Sequence, residues 1–125
     1  MEVKDEILQI IQNYERAVNS ANADQLEDLF WFDDERFSEV ENHIAVPFGK
    51  KVFLDIGSWI RQNARPGAKQ RFYDTSVYPL SGDVAYSVSL REEIESGKIS
   101  RVTLIYLKNE GRWKIIHGHF SYLPE

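Results

Sequence analysis

An α+β domain is the fold class the sequence predicts, with three N-terminal helices packed on an antiparallel sheet. The hydrophobic period is helical up to Pro66-Gly67 and becomes two after residue 68. Turn signals at Ser81-Gly82, Ser96-Gly97 and Asn109-Glu110-Gly111 each precede a long strand pattern. Long strands joined by such turns form a meander, because a parallel pair needs a crossover connection. Helices followed by strands then give the α+β arrangement.

Val3, Ile7, Ile10, Ile11, Tyr14, Ala17 and Val18 form one apolar stripe, so an amphipathic helix is expected over about 2–19. Asn19-Ser20-Ala21-Asn22 breaks it, and Asn22 or Asp24 caps a short second helix carrying Leu26, Leu29 and Phe30. Trp31 and Phe32 sit in a turn and should look inward, followed by a short strand from Phe37 to Glu41. Val52, Phe53, Ile56, Trp59 and Ile60 mark the third helix, which Pro66-Gly67 ends. Strands are expected at about 69–80, 84–95, 98–108 and 112–122.

A chain of 125 residues, 42% apolar, suits one domain spanning 1–125 and no linker divides it. The net charge of −5 argues against a nucleic-acid partner, whose phosphates require a basic surface. Residues 1–45 hold twelve acids against three bases while the remainder is basic, so the two parts complement each other. With no cysteine there is no disulfide scaffold, thiolate metal site or cysteine nucleophile. Charges at Glu2, Lys4, Asp5 and Glu6 oppose a signal peptide, and no apolar run approaches the roughly 18 residues of a membrane span. A cytoplasmic protein with no membrane partner is the expectation.

Turn lengths set register, and register sets neighbours. A three-residue loop at Asn109-Glu110-Gly111 pairs Lys108 with Arg112, Thr103 with His117 and Arg101 with His119. A two-residue turn at Ser96-Gly97 pairs Glu95 with Lys98 and Glu92 with Arg101. Glu92, Arg101 and His119 then form one row on one face, with Leu90, Ile105, Leu107, Trp113 and Ile115 along it, as a pocket wall would look. The opposite face, with Val102, Leu104, Tyr106, Ile116, Phe120 and Tyr122, is apolar too and needs its own cover. A second copy is expected there, giving a homodimer through the outer sheet face.

Arg101-Val102-Thr103 followed by Gly111-Arg112-Trp113-Lys114-Ile115-Ile116-His117-Gly118-His119-Phe120-Ser121 resembles the closing hairpin of SnoaL-like domains, in the nuclear-transport-factor-2-like superfamily. Tyr14-Glu15-Arg16-Ala17 and Asp24-Gln25-Leu26-Glu27-Asp28-Leu29-Phe30 fit the helical half of that family. The resemblance implies a strongly curved sheet enclosing a cone-shaped pocket and dimers formed through the outer sheet surface. It implies no single activity, since the superfamily holds ketosteroid isomerases, scytalone dehydratases and a kinase association domain. Leu29-Phe30-Trp31 followed by Glu41-Asn42 also resembles small triazine amidohydrolases, with Tyr14 at their helix-1 tyrosine. Where those enzymes carry an arginine, this chain has Phe37 or Ser38.

Arg101 offers a fork suited to a carboxylate, with Glu92 holding it and Thr103 beside it. His119 is the acid or base candidate. His117, two residues away and deeper toward Trp113, reads as a core histidine bonded to a backbone carbonyl or as a ligand contact; with no third partner in register, the pair implies no metal. Tyr14 is either a core tyrosine or a donor to a carbonyl oxygen. Trp31 is core or pocket wall, His43 is a loop residue, and Glu39 and Glu41 share a parity toward the pocket, Glu41 as a general base. Two classes stay open. One is cofactor-independent acid/base catalysis (isomerase, dehydratase or hydrolase) on a small carboxylate- or carbonyl-bearing ligand. The other is a non-catalytic oligomerisation or ligand-sensing module.

Overall fold

The computed structural model describes residues 1–41, 48–49 and 56–124. The elements are α1 (Val3–Asn19), α2 (Ala23–Glu27), β1 (Ser38–Val40), β2 (Phe48–Gly49), α3 (Ile56–Asn63), β3 (Gln70–Pro79), β4 (Val84–Glu93), β5 (Ile99–Asn109) and β6 (Arg112–Tyr122). His43, Val52 and Phe53 lie outside the described residues. The α+β class holds, as does the meander β3-β4-β5-β6.

The expected apolar stripe is the buried face of α1: Ile7, Ile10, Ile11, Tyr14, Ala17 and Val18 are all in the core. Burial of each large aliphatic chain contributes about 1.5–3 kcal/mol. Asn22 caps α2, its side chain accepting from the Gln25 amide at 3.0 Å. α1 packs mainly on β3 and also touches β6, so the sheet curls around it. Two polar side chains of α1 complete that contact: Glu15 accepts from the Phe72 amide and Asn19 from the Gln70 amide, each at 2.9 Å. The free edge of β3 is thereby blunted.

The strand order is β2-β1-β6-β5-β4-β3, open and antiparallel except for the parallel β1–β6 pair. β1 had no partner in the sequence reading; it extends the sheet beyond β6. Both expected hairpin registers shift. Glu110 and Gly111 have φ of +53° and +76° and form a two-residue turn, so Asn109 pairs with Arg112 rather than Lys108. At the other hairpin four residues separate Glu93 from Lys98, so Leu90, not Glu92, pairs with Arg101. A bulge at Ile116 then carries the register from Tyr106–Ile115 to Ile105–His117.

The faces are the reverse of those expected. Val102, Leu104, Tyr106, Ile115 and Phe120 are buried beneath the helices. Arg101, Thr103, Ile105, Leu107, Val88 and Leu90 have the opposite parity and form the outer face. The Ile116 bulge splits the supposed single row on β6: Ile115 joins the core while His117 and His119 turn outward. The homodimer contact assigned to Val102, Leu104 and Phe120 is therefore corrected, because α1 and its neighbours already cover that face.

Candidate functional site

The inner face of the sheet carries a polar row. On β4, Ala85, Ser87, Ser89 and Arg91 are buried in alternation. Arg91 is 3% exposed; one guanidinium nitrogen donates to the Ser100 hydroxyl at 3.3 Å, and the group lies 4.3 Å above the Phe120 ring. Its Nε–H is buried without a partner. An unpaired buried donor costs about 1–3 kcal/mol, more when it belongs to a charged group.

Facing Arg91 are two carboxyl groups from β1 and the residue after it. Glu39 and Glu41 share a parity, as expected, and both point inward; Glu39 is 1% exposed. Their side chains share a hydrogen bond. Burial, reinforced by the neighbouring Glu41, pushes the Glu39 carboxyl well above its ordinary range, with Arg91 opposing. Glu39 therefore holds its proton more firmly than an ordinary glutamate, and Glu41 Oε1 accepts from the Trp59 indole at 3.3 Å. Glu39 Oε1 has no partner. Gly118, opposite Glu39 in the parallel ladder, leaves the room: a Cβ there would lie 2.9 Å from Glu39 Oε1.

Tyr14 completes the cluster from α1. Its ring makes edge contacts with Phe30 and Phe72 at 5.6 and 5.1 Å, and its hydroxyl is buried with no partner. Burial and then Glu39 push the phenol well above its usual range, so it stays a neutral donor. Beyond it, Tyr106 and Ser87 satisfy each other at 2.8 Å. Three unpartnered polar atoms, on Tyr14, Glu39 and Arg91, thus belong to one electrostatically coupled group.

Of the candidates from sequence, the structure brings together Tyr14 and Glu41. Arg101, Thr103 and His119 lie on the outer face, lining an open groove of about 520 Å³ with Ser121, Val88 and Asp74. Thr103, not Arg101, stands opposite His119. Glu92 is paired with Arg71 at 3.2 Å rather than with Arg101, because the longer loop moves it two residues along. His117 also faces outward, its Nδ1 bonded to the Ser38 hydroxyl at 2.8 Å; burial and His119 lower its pKa. Trp31 is a tie between layers: its indole donates to the Leu107 carbonyl at 2.8 Å and its ring receives Lys114 at 4.8 Å. No group of three metal-ligating side chains occurs among the described residues. Arg91 was missed. The signal was its phase with Ala85, Ser87 and Ser89, small residues that alternate with the bulkier Tyr86, Val88 and Leu90.

Several solved structures share this architecture. A nuclear-transport-factor-2-like protein of unknown function from Pseudomonas putida is 21% identical with a TM-score of 0.77, over 98% of this chain and 87% of that one. A candidate ketosteroid isomerase from Parabacteroides distasonis is 16% identical with a TM-score of 0.72, over 98% and 89%. A candidate calcium/calmodulin-dependent protein kinase II association domain from Xanthomonas campestris is 19% identical with a TM-score of 0.73, over 96% and 87%. At these identities the likeness shows the fold alone. No curated protein matches the chain. The SnoaL-like domain model matches residues 7–125, and with the helices, curled sheet and hairpin already described, this chain belongs to the SnoaL-like family.

Proposed function

We propose that the inner cluster binds a small carbonyl- or carboxylate-bearing molecule and moves a proton on it. The observation that carries this reading is the set of three buried, unpartnered polar atoms: the Tyr14 hydroxyl, Arg91 Nε and Glu39 Oε1. Folding leaves such atoms unpaired at a cost, and a ligand that pairs them recovers it. Tyr14 and Arg91 donate to the ligand oxygen, where negative charge would grow. Glu41, beside Glu39, is the base that takes a proton from the carbon beside the carbonyl. The electrons of that C–H bond move onto the carbonyl oxygen, and return of the proton at another atom completes an isomerisation. No cofactor takes part in this scheme.

Tyr14→Phe tests it, because it deletes one proposed donor and almost no volume. Native mass spectrometry of the purified protein should show a retained small molecule of constant mass in the wild type and a reduced share in Tyr14→Phe and Arg91→Met. Equal retention in all three proteins would overturn the reading.

The association-domain likeness and the outer face favour a further statement about assembly. Tyr78 stacks on Tyr86 at 5.0 Å, and with exposed Val88 and half-buried Leu90, Ile105 and Leu107 they make a sticky surface. We propose that a second copy covers this face, so that Arg101 and His119 belong to the subunit contact.

A further inference from the structure

Two further unsatisfied oxygens lie at the far end of the inner face, where β3 and β4 meet the C-terminal end of α3. Gln70 and Glu93 are paired residues of the two strands. Both line a recess of about 180 Å³ together with Asn63, Arg65, Lys69 and Glu95. Gln70 is 6% exposed, yet its Oε1 has no partner; neither has Glu93 Oε2.

The orientation of Gln70 is set by a chain of bonds. Asn63 Nδ2 donates to the Trp59 carbonyl at 2.9 Å, which leaves Asn63 Oδ1 as an acceptor. Gln70 Nε2 donates to that oxygen at 3.5 Å. Turning the Gln70 amide over would set oxygen against oxygen, so Oε1 is held as the unpartnered acceptor. Burial and then the neighbouring Glu93 raise the Tyr122 phenol, and Glu93 Oε2 itself has no hydrogen-bond partner. The neighbouring acids are engaged: Glu95 with Arg65 at 3.4 Å and Glu92 with Arg71 at 3.2 Å. Two residues of the recess wall thus each hold a buried acceptor without a partner, one of them on a carboxyl group.

The geometry points to a binding site for the primary ammonium group of a small amine, held between Gln70 Oε1 and Glu93 Oε2. An ammonium carries three N–H donors and no acceptor, which matches two lone acceptors better than a hydroxyl does, and an anion would be repelled. Its charge pairs with Glu93 in a partly dried setting, where such hydrogen bonds are stronger than neutral ones. The volume admits the head group and a few carbons. Two cations of the chain line the same recess, Arg65, which is paired with Glu95, and Lys69, exposed at the rim and the competitor for the same oxygens.

Titration with ethylammonium chloride, followed by the side-chain amide NMR signals of Gln70 and Asn63, tests this, with tetramethylammonium chloride at equal ionic strength as the probe lacking N–H donors. Ethylammonium should give saturable shifts confined to the recess and tetramethylammonium none. Glu93→Gln should weaken ethylammonium at least tenfold, Gln70→Met should weaken it too, and Lys69→Ala should tighten it. Shifts that never saturate, equal response to both salts, or unchanged affinity in folded Glu93→Gln and Gln70→Met would overturn the proposal. The readout is independent of Tyr14 and Glu41, so it stands or falls apart from the reaction proposed above.

Discussion

Tyr14 and Glu39 show how single side chains separate stability from function. The Tyr14 hydroxyl is buried without a partner, so Tyr14→Phe should stabilise the fold by about 1 kcal/mol, since an unsatisfied polar group is removed at nearly constant shape. Urea unfolding measures this, and a loss of stability would mean that the hydroxyl is satisfied within the protein. For Glu39 the sign follows from its raised pKa. The native state keeps a proton that the unfolded chain releases, so stability falls as pH rises above the ordinary glutamate value of 4.5. The slope is at most about 1.4 kcal/mol per pH unit for one proton. Glu39→Gln, which cannot ionise, should flatten that decline in urea midpoints taken from acid to neutral pH. Parallel curves for the two proteins would show that Glu39 ionises normally in the fold.

At the level of elements, turns and bulges decided what was legible. Helix α1, the Asn22 cap, the four long strands and the α+β class follow from periodicity and capping chemistry, and those signals are local. The choice of covered face is not local. Val102, Leu104 and Tyr106 alternate with Arg101, Thr103, Ile105 and Leu107, so β5 is apolar at both parities and period two leaves the buried side open. A bulge at Ile116 then exchanges sides midway along β6, a change no alternation pattern announces. The Glu110 turn misled for a similar reason, since a glutamate at φ +53° is poorly suited to a two-residue turn with two positive φ angles. Glu110→Asn should therefore stabilise the hairpin by about 0.5–1 kcal/mol in thermal or urea unfolding, because asparagine tolerates that conformation better. No gain would place the turn elsewhere. Gly118 was visible only as part of a motif; its role comes from Glu39 on a strand that pairs with β6 from far away in sequence. Gly118→Ala, pressed against Glu39 Oε1, Leu104 and Phe120, should cost about 1–3 kcal/mol. The cost should shrink in a Glu39→Ala background, as residues in contact couple. Equal costs in both backgrounds would show that the Glu39 carboxyl group does not fill that space.

On the scale of the whole molecule, two sides of one sheet divide the work. The inner side buries a guanidinium, two carboxyl groups and a phenol, an arrangement that opposes stability unless something is gained from it, because buried charges are tolerated only when well paired. The outer side leaves Tyr78 and Val88 exposed over strands whose Ile105 and Leu107 are half-covered. If a second copy closes that side, light scattering should read twice the 14.6 kDa chain mass. Val88→Lys should then return the mass of one chain without unfolding it, since substitution at an exposed site away from special features costs the fold no more than about 0.5 kcal/mol. A single-chain mass for the wild type would leave the apolar outer strands without a partner and remove the dimer. A ring of many copies would favour assembly as the chain's task, and the inner cluster would then serve ligand sensing rather than turnover. The two results bear on different faces, so the mass measurement chooses between assembly states while Tyr14→Phe continues to report on the inner site.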